Sequence, residues 1–409
     1  MPELNNNNKK KRPAASSTGE SMTPRRCSLV FFFVSLTSTI ELGFHMLLEK
    51  RGAASTRSVL HFSLPNCCRD KCLVTDDRNL KGSISYEHLV TNSSFDIMGR
   101  DVVVFLHIQK TGGTTFGRHL VRNLDLDNPC ICPRKRKRCD CFRPNTISEQ
   151  WLFSRYSTGW RCGLHADWTA LTNCVENSLN EIEGIEKKRR FYFITVLRDP
   201  IHRYISEFRH VQRGATWKSA GHWCGGQEFE FPKCYQDQDW TGVELDEFMN
   251  CTHNFAHNRQ TRMLADLSLV DCYNSSSIMQ PRERNRILLA SAKANLVKMA
   301  YFGLTDEQLR SQYIFEQTFR LKFIEPFEQV HSSISSKTIA ELSADKLKLV
   351  QDLNHLDMEL YEFGHQLLFQ RFNRLKSQER LLANTTSSIT QLLCQYPFKK
   401  KKKGRIPLT

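Results

Sequence analysis

Acidic residues are in deficit: 43 Asp and Glu stand against 58 Lys and Arg, a formal net charge of +15 over 409 residues. Such an excess implies an anionic partner, whether nucleic acid, a phospholipid surface or a polyanionic polysaccharide. The motifs that would select nucleic acid are missing, with no paired zinc-finger spacing, no ribonucleoprotein aromatics and no basic zipper. No G-x-x-x-x-G-K-[ST] occurs, which argues against a nucleotide kinase. The pairs Cys130-x-Cys132 and Cys139-x-Cys141 lack C-x₂-C spacing and are separated by a basic run, so no metal site is expected. There is no internal repeat, and no small-residue cleavage site follows the N-terminal apolar stretch.

What is present suggests a protein of the secretory pathway. Residues 1–26 are polar and Asn-rich and read as a cytosolic disordered tail. Residues 27–48, Cys27 to Leu48, are mostly apolar, interrupted by Glu41 and His45, and follow Arg25-Arg26. They amount to roughly one bilayer span and read as an uncleaved transmembrane signal-anchor with its N-terminus cytosolic. Residues 49–99 carry few periodic apolar positions and read as a lumenal stem, in which Cys67, Cys68 and Cys72 have no evident role. Fifteen cysteines point to disulfides in an oxidising lumen, with a pairing that sequence does not reveal. The sequons at Asn92, Asn250, Asn274 and Asn384 are glycosylation acceptors on the same side. A hydrophobic content of 40% supports a real core, expected over residues 100–375, and residues 376–409 form a basic C-terminal tail.

Within that domain, Val102 to Leu106 is a β-branched apolar run that leads directly into His107-Ile108-Gln109-Lys110-Thr111-Gly112-Gly113-Thr114-Thr115 and then a helical pattern. Strand, glycine loop and helix N-terminus together offer N–H groups to a phosphate, with Lys110 supplying a full charge and Thr114 and Thr115 hydroxyls. An ordinary strand–helix turn would also use these glycines. A second buried run, Phe191 to Leu197, ends in Arg198-Asp199-Pro200 and enters a helix from Ile201 to Gln212 that carries Ser206. Arg198 and Ser206 would hold a second phosphate. Ala300 to Leu304 is a candidate third strand, followed by helix from Thr305 to Phe319, and Asp345 to Leu375 has the apolar period of a core-facing helix.

This pair of loops resembles the nucleotide sites of sulfotransferases. The likeness extends through F-S-R-Y-S-T-G-W (Phe153 to Trp160), C-G-L-H-A-D-W (Cys162 to Trp168), R-H-V-Q-R-G-A-T-W (Arg209 to Trp217), N-R-Q-T-R-M-L-A-D-L (Asn258 to Leu267) and L-D-M-E-L-Y (Leu356 to Tyr361). Over about residues 100–375 the chain resembles the heparan-sulfate 6-O-sulfotransferases. That resemblance implies an α/β fold, a P-loop-like parallel sheet flanked by helices, in a single-pass type II Golgi membrane protein with a lumenal catalytic domain. It implies sulfuryl transfer from 3′-phosphoadenosine 5′-phosphosulfate to the 6-hydroxyl of glucosamine units in heparan sulfate, with no metal. By the same resemblance His107 to Thr115 hold the 5′-phosphosulfate, and Arg198 and Ser206 the 3′-phosphate. His165 matches the proton acceptor, while Lys137, Arg138, Arg155, Trp160, His210 and Trp217 match substrate contacts. Gln329 matches a nucleotide contact. Next to it the family's Asn-Ser-Thr-Arg is replaced by His331-Ser332-Ser333-Ile334, so an expected Arg contact is absent.

The chemistry agrees with that expectation. Sulfuryl transfer needs in-line placement and countercharge on the transferring oxygens, which Lys110 can supply. A sugar hydroxyl needs a base, and a neutral imidazole suits that role near neutral pH. The basic run Arg134 to Arg138 becomes a clamp for sulfate and carboxylate beside a polyanion. His202 and His253 have no such support and read as structural. A non-catalytic heparin- or lipid-binding membrane protein is the competing reading, and it has no need of Lys110, Arg198 and Ser206.

Overall fold

Three consecutive valines, Val102 to Val104, are stiff at χ1 and suit a strand covered on both faces. They lie in β1 (Asp101–Phe105), every residue of which is buried. The computed structural model describes residues 94–216, 220–274, 277–329 and 334–395, with side chains described to residue 383. The expected tail, the anchor and the stem as far as residue 93, with Asn92, Trp217, His331 to Ser333 and the C-terminal end from residue 396, lie outside the described residues, as does the side chain of Asn384. Residues 94–99, expected as stem, are described, and Phe95 packs in the core against Tyr192 and Phe319. Among the described residues no helix is long and apolar enough to cross a membrane.

β1 is followed by α1 (Gly113–Arg122), β2 (Leu124–Asp125), β3 (Leu152–Phe153), α2 (Trp168–Glu183) and β4 (Arg190–Leu197). Next come α3 (Pro200–Val211), β5 (Trp223–Cys224), β6 (Gln227–Glu228), α4 (Leu245–Asn250), α5 (Arg259–Leu264) and α6 (Pro281–Lys298). The chain closes with β7 (Tyr301–Leu304), α7 (Gln308–Phe319), β8 (Lys322–Phe323), α8 (Ile334–Ala340), α9 (Ala344–Leu353) and α10 (His355–Gln395). The main sheet has the order β3-β1-β4-β7 and is parallel throughout, with Val103 opposite Tyr192 and Ile194 opposite Tyr301. Arg190 and Asp101 fix the register where β4 and β1 begin, through bonds of 2.5 and 2.7 Å. After β1 the chain returns to one flank as β3 and then to the other as β4. The two central strands therefore send their loops apart at their carboxyl ends, the usual position of a ligand crevice in such a sheet.

The strands and helices expected at these positions form within a few residues of their expected bounds. Pro200 is the first residue of α3, and the Asp199 carboxylate caps it by accepting from the His202 N–H at 2.9 Å. The apolar run from Asp345 to Leu375 is divided into α9 and α10 rather than forming one helix. Asn354 makes the break, donating to the Val350 carbonyl at 2.8 Å while its own side-chain oxygen accepts from the Asn258 N–H at 3.3 Å.

Two motifs cap each other at that break. Asn258 accepts from the N–H groups of Leu356 (2.9 Å) and Asp357 (3.2 Å). In return the buried Asp357 carboxylate accepts from Gln260 N–H (3.0 Å), Thr261 N–H (2.7 Å) and the Thr261 hydroxyl (2.8 Å). An anion against the first N–H groups of α5 satisfies donors that helix geometry leaves unpaired. Asp357→Ala leaves those buried donors without their acceptor and removes a carboxylate 3.9 Å from the buried Arg203, which keeps Glu207 and the Ala256 carbonyl. It should lower unfolding free energy by about 3–5 kcal/mol in urea titrations. A loss below about 1 kcal/mol, the worth of one ordinary hydrogen bond, would contradict this account of the junction.

Candidate active site

The loop after β1 turns on two residues with positive φ, Lys110 (66°) and Gly112 (77°). Gly112 adopts this conformation readily, while Lys110 carries a side chain into a sparsely populated region at a cost of order 1–3 kcal/mol. Arg198, at the end of β4, bridges the two loops. Its Nη1 donates to the Lys110 carbonyl (3.2 Å) and its Nη2 to Ser335 Oγ on α8 (2.8 Å). The Arg198 backbone is clasped by Gln260, which accepts from its N–H (3.0 Å) and donates to its carbonyl (2.9 Å). Burial lowers the pKa of Lys110, and the nearby charges of Arg198 and Arg213 add to this while Glu207 opposes it. Glu207 is itself buried and held down to about 2 by Arg259 and Arg203, despite its desolvation.

His165 is the other non-glycine residue of the expected chemistry with a positive φ (55°). Its Nδ1 lies 2.9 Å from the His107 carbonyl. A carbonyl only accepts, so Nδ1 carries the proton, and in the neutral ring the lone pair is on Nε2. Burial, with Arg259 and Arg155 nearby, brings the His165 pKa down to about 4, against the raising effect of the His107 carbonyl. Its ring centroid is 4.7 Å from Trp160 and 4.8 Å from His107. His107 in turn stacks between Phe105 (5.4 Å) and Trp160 (5.7 Å). The segment carrying His165 is held by the Cys162–Cys174 bridge and by Asp167, which caps α2 through Ala170 N–H at 2.8 Å and accepts from the Tyr273 hydroxyl at 2.6 Å.

The other expected residues divide by location. Arg155 lies over the Trp160 ring at 5.3 Å, and Arg138 donates to the Thr158 carbonyl at 3.3 Å, so the basic run meets the Trp160 segment. That run, with Lys137 exposed, is the tip of a hairpin closed by the nested bridges Cys132–Cys139 and Cys130–Cys141. His210 on α3 has its pKa lowered by burial and by the charge of Lys110. Ser206 is half-buried one turn earlier on the same helix. Thr114 and Thr115 are exposed on the first turn of α1, whereas Ile108 is fully in the core and can offer only its backbone. Thr111 uses its hydroxyl within the loop, donating to the Ile108 carbonyl at 3.1 Å. Gln329 caps α7, accepting from Gln308 N–H (3.1 Å) and donating to the Thr305 carbonyl (3.2 Å). Asn250 and Asn274 are exposed, as glycosylation requires, and His202 pairs with Asp199 at 2.7 Å, a structural role. Two residues that position the site, Gln260 and Asp357, were not singled out from sequence, and Ser335, which the family resemblance places in the loop against the nucleotide, is here the partner of Arg198.

The crevice therefore joins a strained lysine loop at a helix N-terminus, an arginine from the neighbouring strand and a neutral histidine of fixed tautomer. In the loop, His107 Nδ1 and Gln109 Oε1 are buried without a hydrogen-bond partner among the described residues. This is the arrangement of a sulfotransferase, and the sequence profile of the sulfotransferase family matches residues 93–364. The chain is 54% identical over 303 residues to heparan-sulfate 6-O-sulfotransferase 3-B of Danio rerio, covering 73% of this chain and 71% of that protein. Heparan-sulfate 6-O-sulfotransferase 1-B of Danio rerio is 56% identical over 282 residues, 68% of each chain. Heparan-sulfate 6-O-sulfotransferase 1 of Mus musculus is 55% identical over 291 residues, 70% of each. The chain belongs to the heparan-sulfate 6-O-sulfotransferase family.

The loop leaves no room for a methyl group at its helix junction. A Cβ on Gly113 would lie 2.2 Å from His107 Cδ2 and 2.5 Å from Nε2, and that ring is confined by Phe105, Trp160 and His165. Gly113→Ala should cost about 1–3 kcal/mol by overpacking, measured as a lower urea midpoint with an unchanged slope. An unchanged midpoint would mean that the ring has space to move.

Proposed function

We propose that the protein transfers a sulfuryl group from 3′-phosphoadenosine 5′-phosphosulfate to the 6-hydroxyl of glucosamine residues in heparan sulfate, with His165 as general base. The observation that carries this reading is the His165 tautomer, with Nδ1–H donated to the His107 carbonyl and the basic nitrogen on the ring's other side, at the start of the loop that carries Lys110 and is bridged by Arg198. When bound, 3′-phosphoadenosine 5′-phosphosulfate supplies the activated sulfuryl group. The loop fits its phosphates, with a glycine cradle too tight for a Cβ and the N–H groups opening α1.

In this mechanism Lys110 lies against the 5′-phosphosulfate and neutralises charge that develops as the bond to the leaving oxygen lengthens. Arg198 pairs with the 3′-phosphate, Ser206 donates its hydroxyl there, and Gln329 holds the α7 end of the nucleotide crevice. His165 Nε2 takes the proton of the acceptor hydroxyl, and the His107 carbonyl steadies the imidazolium through Nδ1–H. Lys137, Arg138, Arg155, His210 and Trp160 bind the sulfated acceptor, the cations by pairing with its anions and the indole by contact with a sugar face. Trp217 joins them by family resemblance.

The five disulfides among the described residues support an oxidising compartment. We read the site of action as the Golgi lumen, with residues 27–48 as the anchor of a type II membrane protein.

A pH profile tests the base. Neutral His165 is the active form, so kcat/KM should fall as pH drops through about 4 and be level above that limb, in line with the lowered pKa. His165→Ala should lower kcat by about 10²–10⁴ and abolish the acid limb while binding of 3′-phosphoadenosine 5′-phosphate is retained. Wild-type turnover with the same limb in the variant would assign the proton to another group. Absence of any sulfuryl transfer by the wild type would favour the non-catalytic heparin-binding alternative.

A further inference from the structure

The pocket containing His165 does not end at Trp160. A second groove of about 530 Å³ continues from it, and the two share Trp160, Arg161, Cys162 and Gly163 as lining. The far wall of the second groove is the β5–β6 hairpin, whose Trp223 is 45% exposed. An indole exposed on a hairpin gains little from folding, and an exposed aromatic that faces a continuous groove marks a binding surface. Beside it, Gly225 (φ 61°) and Gly226 (φ 79°) leave the backbone bare, with nothing within 4 Å of a Cβ on Gly226.

The walls of this groove are rigid. Cys162–Cys174 ties the near wall to α2, and Cys224–Cys272 ties the hairpin to the segment after α5. A preformed groove loses little conformational freedom when it is filled. Its charge is also one-sided. Arg161, exposed, is the one ionisable side chain among the described lining residues, and no carboxylate faces it there. Glu228, opposite Trp223 in the hairpin, lines a different groove.

Aromatic planes, bare backbone and a single guanidinium suit an anionic saccharide, and continuity with the His165 pocket determines which one. We propose that this groove is a second acceptor subsite, in which Trp223 stacks on a sugar ring beyond the reach of a trisaccharide seated on the reacting glucosamine, and Arg161, at the join of the two grooves, pairs with a carboxylate or sulfate of a unit between them. The inference rests on the heparan-sulfate reading above and adds that the enzyme selects for acceptor length, because a short oligosaccharide that fills the His165 pocket does not reach Trp223.

Steady-state kinetics on a trisaccharide and a dodecasaccharide heparan acceptor test it. In Trp223→Ala the ratio of kcat/KM for the long acceptor to that for the short one should fall about tenfold, through KM, and Trp223→Phe should restore most of it. Arg161→Ala should reduce the same ratio at low ionic strength and lose its effect at high salt, and it carries the test should the Trp223 variants fail to fold. A ratio unchanged in Trp223→Ala and Arg161→Ala, or equal losses on both acceptors, would overturn the subsite. A wild-type enzyme that sulfates neither acceptor would instead overturn the acceptor assignment on which the groove depends.

Discussion

The carboxylate of Asp357 connects the end of the fold to the chemistry. It sits on the first N–H groups of α5 and so fixes Gln260, which clasps the backbone of Arg198 on both sides. Arg198 then reaches across the crevice to the Lys110 carbonyl and sets the strained turn of the glycine loop. A chain of hydrogen bonds thus runs from α10 through α5 and the end of β4 to the loop after β1. Each link is buried or half-buried, where an unmade hydrogen bond costs more than a made one contributes. The position of Lys110 is therefore imposed by long-range packing and not by its own backbone preference.

The site is also an electrostatic arrangement awaiting an anion. Lys110 and Arg198 lie together beside the buried carboxylate of Glu207, which is already committed to Arg203 and Arg259, while Arg155 and Arg138 meet the Trp160 segment. Desolvation lowers the affinity of Lys110 for its proton and keeps His107 and His165 neutral. The same burial serves two purposes. It holds His165, the proposed base, unprotonated at neutral pH, and it makes each cation's field on an entering sulfate stronger than it would be in water. The overall charge of +15 extends that attraction to the whole polymer.

Sequence made the two central strands and their loops legible because β-branched runs, paired glycines and Arg-Asp-Pro are local signals. Pro200 at the start of α3 and Tyr301 to Leu304 as a strand were readable for the same reason. β3 was not, since two residues leave no periodicity. The break at Asn354 was hidden because the apolar stripe continues through it, and the reason for the break is a contact with Asn258. Gln260 and Asp357 stood inside motifs that pointed to the family, yet they are 97 residues apart and their role exists only once the chain has folded. The cysteines announced disulfides without their partners, because pairing depends on proximity in space. Trp223 carried no signal at all, as a single aromatic between polar residues becomes informative only when a groove is seen beside it. For Lys110 and His165 the sequence supplied the identity, and the structure added their shared positive φ and the tautomer that points Nε2 away from the His107 carbonyl.

The central claim is that Lys110, Arg198 and His165 direct sulfuryl transfer to one hydroxyl of one sugar. The most direct measurement is disaccharide analysis of a heparan acceptor after incubation with labelled 3′-phosphoadenosine 5′-phosphosulfate and the full-length protein. The account predicts label on the 6-position of glucosamine-containing disaccharides and nowhere else. Label on the uronate 2-position or on glucosamine nitrogen, or no label at all, would contradict it.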